Sequence, residues 1–368
     1  MATKKTTPAT PASTRPLWQR LALRRLKFLG YVALVLAVVL GGSYLFAPQW
    51  LMAADMKRQA MTAHVEKHSV QVGDTKWVYY EGGQGPTLVL LHGFAASKEV
   101  WLKQMELLSP HFHVIAPDLP GWGESSRVDG ASYNIDAQVA RLQGFMDALQ
   151  LQKVVLIGHS MGGAIAGVFA AEHPEHVAEL ALLDSFGLKA NENEFSREAM
   201  SGKNVFAFDN REQFAKATAW AFGKPLDIPG RFQDVLIRRN QENRAFIDRT
   251  FNELRDPSQY LSLQNRLDKL GMPVLGLWCH DDKIIDISAL DNLRNGLKNA
   301  ASISTSMMTG CNHMPIIEKP EETARIRRLA CVPLVQMEHH QRTDQARVLG
   351  GGRSAPVHRS VRRRIQSR

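Results

Sequence analysis

The chain has 368 residues, and the roughly 300 that lie between its basic ends are enough for one large α/β core with an inserted subdomain. Its formal charge of +9 sits at those ends: residues 1–27 carry seven Lys or Arg and no acid, residues 327–368 carry ten Arg against Glu338 and Asp344, and the stretch between them is left at −6. A mildly acidic body argues against nucleic acid as a partner, and three cysteines are too few for a disulfide framework.

In chain order, the basic segment 1–27 leads into Phe28 to Phe46, an uncharged apolar run of 19 residues. That is close to the ~20 residues a helix needs to cross a bilayer. With Lys and Arg on its N-terminal flank alone, the positive-inside rule leaves the N-terminus in the cytoplasm and the body on the exported side. A transmembrane anchor or uncleaved signal is the reading; a cleaved signal peptide is its rival.

The folded body is expected over 65–330. It opens with a hairpin, His68 to Val72 and Lys76 to Tyr80, turned at Gly73-Asp74. Strands near Thr87, Val114, Lys153, Val177, Val274 and Ser302 then alternate with helix-like runs, the pattern of a mostly parallel, doubly wound sheet covered on both faces. After Thr87 to Leu91 comes His92-Gly93-Phe94, where Gly93 permits a tight backbone and the Phe94 N–H is placed to bind a developing oxyanion. His92 reads as a structural hydrogen-bonder and Asp118 as a turn brace, while Trp122 is a candidate for the pocket lining.

Gly158-His159-Ser160-Met161-Gly162 follows the apolar run Val154 to Ile157 and precedes a Gly- and Ala-rich helix. A strand feeding G-x-S-x-G and then a helix is the context that exposes a serine on a sharp turn. Ser160 is therefore the candidate nucleophile, and the Met161 N–H the second oxyanion donor.

A serine hydroxyl needs a base to take its proton and a carboxylate to hold that base in one tautomer. Val274 to Trp278 runs into Cys279-His280-Asp281-Asp282, and Ile303 to Met308 opens into Thr309-Gly310-Cys311-Asn312-His313. Both loops fall at the carboxyl edge of the expected sheet, beside the elbow. His313 is assigned as base and Asp282 as its acid, with Asp184, at the end of the Val177 to Leu183 strand, in reserve. No metal is called for, since the histidines are scattered and His339-His340 lacks further ligands at zinc spacing.

From about Val65 to Ala324 these segments, with Asp118-Leu119-Pro120-Gly121-Trp122-Gly123, follow the order of an α/β-hydrolase, which the chain resembles. Within that superfamily it is similar to bacterial lipases of the Moraxella type and to membrane-anchored monoacylglycerol lipases. Gln71-Val72-Gly73-Asp74, Leu261 to Asn265, and His313-Met314-Pro315 with Glu318 to Glu321 carry that likeness. The resemblance implies an acyl-ester or lipid substrate, no cofactor, and a helical cap at about 185–271. That stretch is rich in Phe, and most of its aromatics are expected to form the cap's own core, about a third facing an acyl chain. Cys279, His280 and Asn312 depart from the family's usual residues, and so does the end of the chain.

The expected function is a serine hydrolase of carboxylic esters. A carbon–carbon or amide hydrolase using the same three residues is the alternative, and a silent membrane-tethered binding protein a third. Residues 331–368, with Gly350-Gly351-Gly352 and Arg362-Arg363-Arg364, read as a disordered basic tail. Cys279 and Cys311 are expected as free thiols, a bridge between their two loops being the rival in an oxidising compartment. The oligomeric state is not legible.

Overall fold

The computed structural model describes residues 16–325. The basic tail, including Cys331 and His339-His340, lies outside them, as do Lys4, Lys5 and Arg15.

Two helices lead. Helix α1, Leu17–Phe46, begins eleven residues before the apolar run and has no buried residue. It is long and apolar enough to cross a membrane. A break at Ala47-Pro48 starts α2, Pro48–Thr62; proline suits a first helical turn because its missing N–H would be unpaired there.

The body is an eight-stranded sheet in the order β1-β2-β4-β3-β5-β6-β7-β8. Strands β1 (Val65–Val72) and β2 (Thr75–Gly82) form the expected hairpin, with Gly73 at φ 56° in its turn, and β2 pairs antiparallel with β4 (His113–Pro117). The remaining pairings, through β3 (Thr87–Leu91), β5 (Val154–His159), β6 (Val177–Leu183), β7 (Val274–Cys279) and β8 (Ile303–Met308), are parallel. The central strands β3, β5, β6 and β7 are almost wholly buried. Continuous Val and Leu runs rather than alternation are what such a position requires, because both faces meet helices.

Apolar layers lie on both faces. One packs α4 (Ile135–Ala148) and α5 (Met161–Glu172) against Trp77, Leu156 and Leu182; the other packs α3 (Leu102–Leu108) against Leu90, Ile157 and Leu277. Helix α5 comes hard against the sheet because Gly162 has no side chain: a Cβ there would strike the Leu91 and His92 carbonyl oxygens.

Between β6 and β7 the chain leaves the sheet as helices α6 (Glu194–Met200), α7 (Arg211–Ala221), α8 (Gly230–Glu242), α9 (Arg244–Leu254) and α10 (Pro257–Tyr260). This is the inserted helical cap. Helix α8 packs on α2, and Tyr44 near the end of α1 meets Phe232 of α8 edge-to-face with ring centroids 5.6 Å apart. After β7 comes α11 (Ser288–Gly296), and after β8 the short α12 (Pro315–Glu318).

One expectation is corrected. Cys279 and Cys311 are joined in a disulfide with a Cα–Cα distance of 5.5 Å, both residues buried. Adjacent parallel strands end side by side: Cys279 pairs with Met308, which puts Cys311 only three residues beyond it. With 32 residues of sequence separation between the cysteines, the bridge is expected to stabilise the fold by about 3–4 kcal/mol through the unfolded chain it constrains. The Cys279→Ala/Cys311→Ala double variant should show that loss in denaturant unfolding; an unchanged midpoint would mean that the bridge does not hold the native body together.

Candidate active site

Ser160 sits between β5 and α5 with φ 52° and ψ −121°, a left-handed backbone that a side-chain-bearing residue adopts only when its surroundings impose it. Three contacts do so here. The Ser160 N–H donates to the Leu183 carbonyl at 3.0 Å, while the Ser160 carbonyl accepts from Gly163 N at 2.9 Å and from Phe186 N at 3.0 Å. The elbow is thus pinned to the end of β6 as well as to its own helix.

The loop after β3, 92–94, meets it. A Cβ at Gly93 would lie 3.0 Å from the Ser160 Cβ, a tight contact that glycine avoids. The loop is braced from behind, as read from the sequence. Buried His92 accepts from Leu119 N through Nε2 at 3.0 Å and donates through Nδ1 to the Gly93 carbonyl at 2.8 Å. Asp118 accepts from the Lys98 backbone and ammonium, both at 2.7 Å, and from Glu124 N at 2.8 Å. Burial works against the charge of Lys98, but Asp118 and Glu99 beside it more than offset this and raise its pKa. Met161, the first residue of α5, has an N–H with no acceptor inside the helix.

Buried His313, after β8, directs Nδ1 to Asp282 Oδ2 at 2.9 Å. The other Asp282 oxygen accepts from Ile284 N at 2.8 Å and Ile285 N at 3.0 Å. A carboxylate anchored in this way can hold the imidazole so that Nε2 carries the lone pair. His159 lies alongside, its ring centroid 4.9 Å from that of His313, and donates through Nε2 to the His313 carbonyl at 2.6 Å. Burial, with His313 close by, lowers its pKa to about 3. His159 is therefore neutral near neutral pH and holds the His313 backbone without competing as a base.

Asn312, passed over in the sequence except as a departure from pattern, ties three segments together. Its Oδ1 accepts from Lys283 N at 2.8 Å, its Nδ2 donates to the Trp220 carbonyl at 2.9 Å, and its N–H donates to Glu318 at 2.8 Å. The acid loop, the base loop and the cap are so linked. Asp184 is not the partner of His313 but lies against Asp282; potential ligand atoms of Asp184, Asp282 and His313 fall within 4.8 Å of one another. That spacing could by itself hold a cation, yet the His313 Nδ1 is already engaged by Asp282.

A cavity of ≈ 460 Å³ runs from these groups under the cap. Gly93, Phe94, Ser160, Met161 and His313 line its floor. Of the cap aromatics Phe195, Phe206, Phe208, Phe214, Trp220, Phe222, Phe232, Phe246 and Phe251, all but Trp220, Phe232 and Phe246 line its walls, six of nine against the expected third. Phe246 instead joins the core. Trp122 is also placed differently from expectation: it does not line the cavity but is buried behind Phe94, ring centroids 5.1 Å apart, and against Phe246 at 4.8 Å. The volume is within the ~300–1,000 Å³ of small-molecule sites.

A sharp serine turn and a buried His–Asp pair on this sheet define a serine-hydrolase-type α/β protein. The chain belongs to the alpha/beta hydrolase fold family, whose model matches residues 86–320. It is similar to the monoacylglycerol lipase ABHD6 of Homo sapiens, 29% identical over 258 residues that cover 66% of this chain and 74% of that protein. It is likewise similar to Lipase 3 of Moraxella sp. (strain TA144), 29% identical over 272 residues covering 73% and 84%. Among solved structures, that of a membrane phospholipase A described as a novel bacterial virulence factor superposes with a TM-score of 0.74 at 35% identity, covering 84% of this chain and 99% of that one.

Proposed function

We propose that the protein is a membrane-anchored lipase or esterase that cleaves acyl esters, acylglycerols or kindred glycerolipids among them, through an acyl-enzyme on Ser160. The observation that carries this reading is the phenylalanine-walled cavity ending on Ser160 and His313. A long apolar acyl chain is the group such walls desolvate most favourably, at about 0.8 kcal/mol per buried CH₂.

In the proposed reaction His313 Nε2 takes the Ser160 proton as Oγ attacks the ester carbonyl carbon, and Asp282 stabilises the imidazolium that forms. The N–H groups of Phe94 and Met161 hold the tetrahedral oxyanion. Collapse breaks the bond to the alcohol, which leaves with the proton from His313. Water, deprotonated by His313, then attacks the acyl-enzyme and frees the acid and Ser160. No step calls for a metal or cofactor.

Four features support the membrane-anchored, exported reading. The apolar run 28–46 lies within α1, with basic residues before it. Phe46 and Trp50, 87% and 69% exposed at the helix break, suit a bilayer surface, where aromatic rings concentrate. The Tyr44–Phe232 contact sets the cap beside that surface, so a lipid has a short path to the cavity. The disulfide fits an oxidising, exported compartment. We assign the anchor to 28–46, the catalytic body to 65–330 with its cap at about 185–271, and the body to the exported side.

The test is hydrolysis of p-nitrophenyl esters from acetate to palmitate, and of mono-, di- and triacylglycerols and phospholipids, by the full chain in detergent. kcat/KM should rise with acyl length, at most about threefold to fourfold per added CH₂. A profile that peaks at acetate would contradict the acyl-chain reading of the cavity. No turnover of any ester by folded protein would move the assignment to carbon–carbon or amide hydrolysis, or to a silent fold.

A further inference from the structure

Asp184 is fully buried at the end of β6, and neither the oxyanion floor nor the His–Asp pair uses it. Its backbone is left-handed, φ 44°, and pinned by a 3.0 Å bond from its N–H to the Leu277 carbonyl. Oδ1 accepts from Cys279 N at 2.9 Å. Oδ2 accepts from no donor among the described residues, and a carboxylate oxygen of Asp184 lies within 4.8 Å of one of Asp282. Two carboxyl groups so close and so dry do not both ionise. Donor placement decides between them: Asp282 accepts from Ile284 N, Ile285 N and His313 Nδ1, whereas Asp184 accepts from Cys279 N alone. The charge therefore belongs to Asp282.

We propose that Asp184 is a positioning residue: a carboxylic acid that keeps its proton and donates it in a hydrogen bond to the Asp282 carboxylate, locking the orientation in which Asp282 holds His313. Burial pushes the Asp184 carboxyl well above the usual carboxylate range, and the Asp282 charge pushes it the same way; Glu318 adds to this at longer range. His313 and Asp282, from the loops after β8 and β7, and Glu318, from α12, are the titratable groups around it. In this arrangement β6 supplies a third support to an acid–base pair already tied together by the Cys279–Cys311 bridge and Asn312. The assignment rests on the triad reading above and deepens it.

Asp184→Asn keeps an N–H donor for Asp282 and a carbonyl for Cys279 N, whereas Asp184→Leu keeps neither. In the full-length protein, kcat and KM for a p-nitrophenyl ester are measured against pH, together with the rate at which a fluorophosphonate labels the folded fraction. The leucine variant should lose about 10- to 100-fold in kcat and in labelling rate, with KM little changed, as a misplaced acid–base pair does. The asparagine variant should recover most of that loss and keep the acidic limb of the wild-type profile. Wild-type kcat in the leucine variant would overturn the proposal, as would an asparagine variant as impaired as leucine. So would an acidic limb displaced from the wild-type one in the asparagine variant, since that would show that the substitution removed a negative charge beside the acid–base pair. Should the leucine variant not fold, the asparagine limb and labelling rate still decide. A wild type that neither turns over esters nor takes the label would instead refute the triad reading.

Discussion

Ser160→Ala is expected to lower kcat by about 10⁴- to 10⁶-fold on every ester the wild type cleaves, leaving the fold intact. The contacts that hold residue 160 on its elbow are all made by the backbone, to Leu183, Gly163 and Phe186, so alanine keeps them. The left-handed φ of 52° costs alanine about what it costs serine. What disappears is the oxygen that bonds to the acyl carbon. A small residual rate should persist, because the backbone donors and the cavity still bind and polarise the ester. Steady-state kinetics with matched thermal unfolding check this. Loss of less than tenfold would show that another group supplies the nucleophile.

Asp282→Asn is expected to cost about 10⁴-fold in kcat, with substrate binding and stability far less affected. The reason lies in the two sides of this carboxylate. Oδ1 takes the Ile284 and Ile285 N–H groups, and an amide oxygen can replace it there. The amide nitrogen is then forced toward His313, where Oδ2 now accepts from Nδ1. An N–H facing Nδ1 selects the tautomer with its proton on Nε2, the nitrogen that must take the Ser160 proton. If kcat fell by less than tenfold, Asp184 would be serving His313 in place of Asp282, the reverse of the relation drawn between them here.

Much of the fold and site was legible in residues whose local context is self-sufficient. The elbow is one: its strand, its glycines and its helix adjoin in sequence, so Ser160 could be placed without knowing any distant neighbour. The His313 and Asp282 loops could be placed because each follows a recognisable apolar strand. What escaped depends on which strand ends lie side by side. Asp184 read as a substitute acid because the adjacency of β6 and β7, which sets it against Asp282, is a pairing and not a motif. The disulfide needed the β7–β8 register, and the reach of Asn312 needed the position of the cap as well. Trp122 and the cap phenylalanines differ for another reason. An apolar ring is equally satisfied against core or cavity, and only packing decides which side it takes, as it does for Trp122 behind Phe94 and for Phe246 in the core.

The claim that Ser160 is an activated nucleophile is tested most directly by treating the full-length protein with a fluorophosphonate and locating the adduct by peptide mass mapping. The expected result is one adduct, on the peptide holding Ser160, absent in Ser160→Ala and formed far more slowly in His313→Ala. Folded wild-type protein that stays unlabelled, or that carries the adduct on another residue, would contradict it.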